Sequence, residues 1–290
     1  MSLQPAVLGS GISRGRRARN RAAVVLVYLA VVAAAVPLGF VMAYLIEQGG
    51  RVLTFNFLTR DIPVSARTRG PGMGPAVVGT LLITGAATAM AVPLGVLAAV
   101  YVNEYGKKNR LAAVIRFLAD VMAGVPSIVM GLFIYTVWVL RFGFSGFAGA
   151  LALGCLMLPI VIRSSETALL LVPNDLREAS TALGARPSRT ILTVVIPAAL
   201  PGIVSGALLA VARAAGETAP LLFTIGVVTT TNLNLFDGTN TALSTQIFGN
   251  ATQPFPGGIS RAWGAALTLV LLVFVLTAIA RVIARRFTVR

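Results

Sequence analysis

Residues 193–222 read TVVIPAALPGIVSGALLAVARAAGETAPLL. Residues 193–212 carry no charge; Arg213 follows them and Glu217 comes four residues later. A helix needs about 20 apolar residues to cross the hydrocarbon core, so this stretch reads as a membrane span with an ion pair at its end. A charge at the bilayer centre costs roughly 2.5–3.5 kcal/mol on insertion scales, which makes such residues functional candidates by default. What Arg213 does depends on what surrounds it.

The whole chain supports the membrane reading. Of its 290 residues 57% are hydrophobic and 11% charged, with a mean hydropathy of +0.87, against roughly 25% charged in a soluble domain. There is no histidine, which excludes Ser-His-Asp and Cys-His catalysis and every histidine-based metal site. The single cysteine, Cys155, cannot form an intrachain disulfide.

Six apolar segments are expected to span, near Ala22–Ile46, Pro75–Val102, Leu118–Leu140, Phe144–Ile162, Ile191–Ala215 and Ala262–Ala284. The first follows RGRRARNR (14–21) but is too long for a signal-peptide core and lacks a clear small-residue cleavage site, so it reads as a retained anchor. With both termini cytoplasmic, Arg14, Arg16, Arg17, Arg19, Arg21, Lys107, Lys108, Arg110, Arg116, Arg163, Arg177, Arg186, Arg189, Arg281, Arg285, Arg286 and Arg290 lie inside. Only Arg51, Arg60, Arg67, Arg69, Arg141 and Arg261 face outward. This asymmetry follows the positive-inside rule and accounts for the net charge of +15 without a nucleic-acid partner. The expected organisation is a cytoplasmic basic segment, 1–21, followed by one transmembrane domain, 22–290, with its core at 75–284. The outer segment 217–261 reads either as a docking surface or as a solvated loop.

The inner loop 172–197, VPNDLREASTALGARPSRTILTVVIP, contains a short helix. Asp175 and Glu178 form a capping-box pattern, and Leu176, Ala179 and Leu183 share one face. Gly184 ends the helix and Pro187 prevents its continuation. Such a helix is marginal alone. It is either a connector packed on its own chain or a docking element for a partner's groove.

Span five carries Gly202, Gly206, Ala210 and Ala214 at i+4 spacing, a stripe that lets another helix approach closely. Arg213 lies beside it. One reading pairs Arg213 with Glu217 within the helix, which is the weaker orientation for such a pair. The other makes Arg213 a fork of donors facing an anion pathway, with Glu217 holding it between steps and Arg163 adding a second positive position. Asp120 is the only other acid that falls inside an expected span. Pro93, Pro126, Pro159, Pro197, Pro201 and Pro220 punctuate the spans and predict kinks.

Glu178, Ala179 and Ser180, then Gly184, then Val194, Ile196 and Pro197 resemble the EAA loop of bacterial ABC-importer permeases. The pattern departs mildly at Ser180, Val194 and Ile196. MLPIVIRSSETALLLVP (157–173) and PGIVSGALLAVARAAGETAPLLFTIG (201–226) resemble the phosphate-importer branch of that family, the PstA permeases. The resemblance implies an all-α integral membrane protein of the type I ABC-importer permease class in a bacterial inner membrane, with a coupling helix between spans four and five. It also implies that Glu178, Ala179, Ser180 and Gly184 contact an ATPase and that Arg213, Glu217 and Arg163 serve the substrate path. The implied partners are a PstC-like permease, a PstB-like ATPase dimer and a PstS-like binding protein. The chain contains no G-x-x-x-x-G-K-[ST] loop, so it is not expected to be an enzyme or to hold a cofactor; ATP and magnesium belong to the ATPase subunit. The alternatives are a permease for sulfate or molybdate, or an anion transporter that works without ATP.

Overall fold

The computed structural model describes residues 14–65, 67, 70, 72–106 and 109–287, and among these the secondary structure is helical. Residues 1–13 of the expected basic segment, together with Arg69, Lys107, Lys108 and Arg290, lie outside them. The backbone groups into two units, Met1–Glu47 and Gln48–Arg290.

Helix α1 (Arg14–Gly50) has 37 residues, about 55 Å at 1.5 Å per residue. It begins earlier than the expected span because arginines and alanines are good helix formers that outweigh Gly15 and Asn20, and no proline precedes Pro37 within it. Val24, Tyr28, Val32, Leu38 and Phe40 are all exposed. A helix apolar all round is one that lipid or other apolar partners must cover.

The second unit begins with α2 (Phe55–Thr59), α3 (Gly74–Val100), α4 (Arg110–Gly124), α5 (Ser127–Ile134), α6 (Leu140–Phe142) and α7 (Gly146–Leu170). It continues through α8 (Asn174–Ala182), α9 (Pro187–Thr190), α10 (Ile196–Gly216), α11 (Ala219–Leu222), α12 (Leu243–Ala251) and α13 (Pro256–Phe287). π-helical turns at Tyr101–Tyr105, Tyr135–Val139 and Ile191–Val195 adjoin α3, α6 and α10. The central core is formed by α3, α7 and α10, where Ile83, Ala87, Leu153, Met157, Val161, Ala210 and Ala214 pack together. Alanine recurs through this core because lipid is as apolar as leucine, so helix association in a membrane depends on close van der Waals approach. At Gly206 an added Cβ would collide with the side chain of Ser164, and at Gly202 it would meet the Ala168 Cβ at 2.7 Å. The stripe read from the sequence is therefore the α10 face that meets α7.

Among the described residues, five helices are long and apolar enough to cross a membrane, and a sixth span arises if the pair Arg110–Gly124 and Ser127–Phe142 counts as one. That pair corrects the expected continuous span Leu118–Leu140, since its halves meet at 105°. Pro126 is the cause. It disfavours helical backbone at the preceding residue, and Val125 is extended at φ −72°, ψ 127°.

Two further expectations are corrected. The fourth segment does not stop at Ile162, because α7 runs to Leu170 and carries Arg163 and Glu166 inside the helix. Segment 217–261 is solvated only in part: residues 227–239 are non-helical and mostly exposed, and the rest is ordered. It contains α11 and α12, and it buries Ile225, Asn240, Thr241 and Leu243.

Candidate functional site

Arg213 and Glu217 lie together at the end of α10. The helix stops at Gly216, and Glu217 is its extended C-cap at ψ 127°. Its amide donates to Ala214 O at 3.1 Å, and its carbonyl accepts from Ser244 Oγ at 3.0 Å. The ion pair is loose, with Arg213 Nε 3.5 Å from Glu217 Oε1, and the arginine side chain remains 68% exposed. Both residues line a cleft of about 180 Å³ between α4, α5, α7 and α10. Met122, Pro126, Met157, Pro159 and Ile160 supply apolar wall. Ser127 also lines it; it opens α5, where the Val129 and Met130 amides donate to Pro126 O and those of Ser127 and Ile128 have no acceptor within the helix. The sequence reading missed Ser127. The local signal was Pro126 followed by serine, a helix start inside an apolar run.

Arg163 lies elsewhere. It donates to Asp120 through Nε at 2.9 Å and also through Nη2, and its Nη1 donates to Glu166 Oε2 at 3.0 Å. Glu166 Oε1 accepts in turn from Arg116 Nε at 2.7 Å. Two arginines and two acids thus tie α4 to α7. Asp120 and Arg163 each stand three residues, about one turn, from cleft-lining Ala123 and Ile160. Asp120, the other acid read inside an expected span, is therefore the partner of Arg163. Glu166 was missed because the fourth segment was read as ending before it, and Arg116 because it was counted as a loop charge.

The second cluster is built on α8. The capping-box reading is corrected here: Pro173 is the N-cap, Asn174 is already helical, and no side chain caps the helix. Proline sets the entry geometry, so Asp175 falls in the first turn, where a negative charge favours the helix dipole. The C-terminal reading holds. Gly184 has φ +81°, its amide donates to Thr181 O at 2.9 Å, and Ala185 N donates to Ser180 O at 3.2 Å. Together these bonds make a Schellman stop. Pro187 opens α9 rather than leaving the chain irregular.

One face of α8 is tied down and the other is open. Arg177 and Ser180 are half-buried, and Ser180 Oγ is 2.8 Å from Thr190 Oγ1. Leu176 and Leu183 are exposed, Leu183 by 89%, and Glu178, Ala179 and Gly184 are exposed with them. The apolar stripe read from the sequence is therefore not packed on its own chain. Among the described residues no cluster of acids and cysteine is suited to a metal ion.

Comparison with known proteins agrees with this architecture. Residues 91–289 match the family described as binding-protein-dependent transport system inner membrane component. The phosphate transport system permease protein PstA 1 of Mycobacterium tuberculosis (strain H37Rv) is 44% identical over 262 residues, 89% of this chain and 85% of its own length. PstA of Haemophilus influenzae is 39% identical over 267 residues, 92% of this chain and 94% of that protein. The inward-facing MetNI methionine ABC transporter shares the fold, with a TM-score of 0.59 at 21% identity over 74% of this chain and 94% of that one. By its motifs, its helical fold and these similarities, the chain belongs to the inner-membrane components of binding-protein-dependent transport systems, in their PstA branch.

Proposed function

We propose that this chain is the transmembrane permease subunit of an ATP-driven importer of inorganic phosphate in a bacterial inner membrane. The observation that carries the anion assignment is Arg213. Its guanidinium is largely exposed and only loosely paired, in a cleft with mostly apolar walls. A planar fork of donors that stays charged suits a tetrahedral oxyanion. The phosphate permeases that resemble the chain along most of their length support phosphate as that anion.

The bent pair counts as one broken span, making six, and both termini face the cytoplasm, as the basic residues favour. Residues 22–290 form one permease domain. The chain forms the pathway with a PstC-like permease. A PstS-like protein delivers phosphate outside, and a PstB-like dimer hydrolyses ATP inside. Helix α8 is the coupling helix: Glu178, Ala179, Ser180 and Gly184 belong to the ATPase contact, and the exposed Leu176 and Leu183 seat in that subunit. Glu217 holds Arg213 between transport steps. Arg163 extends the path by one turn, its charge balanced by Asp120 and Glu166.

The test is uptake of labelled phosphate, with sulfate as competitor, in cells whose only such importer contains this chain or Arg213→Gln. Uptake that depends on the chain, resists sulfate and falls at least tenfold in the assembled variant is the expected result. Normal uptake by the assembled variant removes Arg213 from the path. Loss of uptake to sulfate would overturn the choice of anion.

A further inference from the structure

Arg177 projects from the tied face of α8 and is only 18% exposed, while its partner Glu104 is 9% exposed. Its Nη2 donates to Glu104 Oε1 and to Leu169 O, both at 3.0 Å. Its Nη1 donates to Val172 O at 2.6 Å and reaches Asn174 Oδ1 at 3.4 Å. Glu104 belongs to the π-helical turn that ends α3, and the neighbouring Asn103 donates to the same Oε1 at 2.7 Å. Leu169 and Val172 stand at the end of α7, where carbonyls lose their helical donors and a cation is favoured. One guanidinium therefore joins α8 to the ends of α3 and α7, two helices of the central core.

We infer that the Arg177–Glu104 pair is the strut that carries motion of α8 into α3 and α7. This rests on the reading of α8 as a coupling helix. The covalent links at each end of α8 are short turns, Leu171–Pro173 and the left-handed Gly184. They keep α8 attached through backbone bonds that stay within each turn, Val172 N to Leu169 O and Gly184 N to Thr181 O, and neither reaches α3. The other side-chain tie, Ser180 to Thr190, leads toward α10. Among the described residues of α8, Arg177 alone reaches the ends of both α3 and α7, through a charge-assisted fork that resists rotation as well as separation. The receiving end is a π turn, a feature found frequently at functional sites. Arg177 and Glu104 are thus positioning residues, with no contact to phosphate.

The experiment uses the complete importer in proteoliposomes, measuring ATPase subunit recovered, ATP hydrolysed and phosphate imported. Arg177→Met is expected to retain the ATPase subunit and hydrolyse ATP within about twofold of the unaltered importer, while phosphate moved per ATP falls at least tenfold. Arg177→Lys, which keeps the charge but not the fork, is expected to recover part of the ratio. An unchanged ratio in Arg177→Met overturns the strut. If that variant fails to assemble, Glu104→Gln decides, because it preserves volume and the arginine's bonds to Leu169 and Val172. A lowered ratio then supports the strut, whereas an unchanged ratio or failed assembly overturns it. If the unaltered chain recruits no ATPase subunit, the coupling-helix reading itself falls.

Discussion

Glu166→Gln removes the carboxylate that serves two guanidinium groups at once. Glu166 is 8% exposed and accepts from Arg116 at 2.7 Å and from Arg163 at 3.0 Å through different oxygens. Glutamine keeps one acceptor and turns an NH₂ group toward the other guanidinium, so one bond loses the carboxylate's charge and the other becomes donor against donor. Breaking a buried pair by removing one partner costs roughly 3–5 kcal/mol. Here Arg116 and Arg163 remain 38% and 41% exposed, and Arg163 keeps Asp120, so the expected cost is about 2–3 kcal/mol. At about 2–4 °C per kcal/mol, that lowers the melting temperature of the purified importer by roughly 4–12 °C. Arg213→Gln is the control. Its pair is 3.5 Å long and its side chain 68% exposed, worth below about 0.5 kcal/mol, so it melts within about 2 °C of the unaltered protein. Both are read at one scan rate, because unfolding of such assemblies is often irreversible. Equal melting of the two variants refutes the reasoning, since exposure and pairing would then not decide which ion pair holds the helices together.

Gly206→Val drives α10 away from Ser164 and lowers the melting temperature by the equivalent of about 1–3 kcal/mol; adding Ser164→Gly restores most of it, as a double-mutant cycle would show. Gly184→Ala places a Cβ at φ +81°, at a cost of about 1–2 kcal/mol in the α8 stop, and reduces the ATPase subunit recovered with the membrane complex severalfold. Leu183→Asp leaves melting of the membrane subunits purified without the ATPase unchanged, because that side chain is 89% exposed, yet lowers ATPase recovery at least tenfold; unchanged recovery removes Leu183 from the contact.

The helices along α1, α3, α10 and α13, the small-residue face of α10 and the Gly184 stop were all legible in the sequence. Each follows from short-range properties: runs of apolar residues, i+4 spacing, and the freedom of glycine at positive φ. The apolar stripe of α8 was equally legible, as were Arg213 and Glu217, because charges beside an apolar run stand out without knowledge of any neighbour. What the sequence left open was which groups meet. Whether Arg213 was firmly paired, and which arginine Asp120 served, depended on how α4 folds back at Pro126, a bend of 105° that a count of apolar residues does not contain. Glu166 looked like the edge of a loop until α7 was seen to continue past it, with Arg116 arriving from α4, 50 residues earlier in the chain. The same holds for Arg177 and Glu104, 73 residues apart. Local pattern determines where a chain becomes helical, because helix formation depends on neighbours within a turn or two. Only packing between distant helices determines which buried charges are neutralised and which remains available to a ligand.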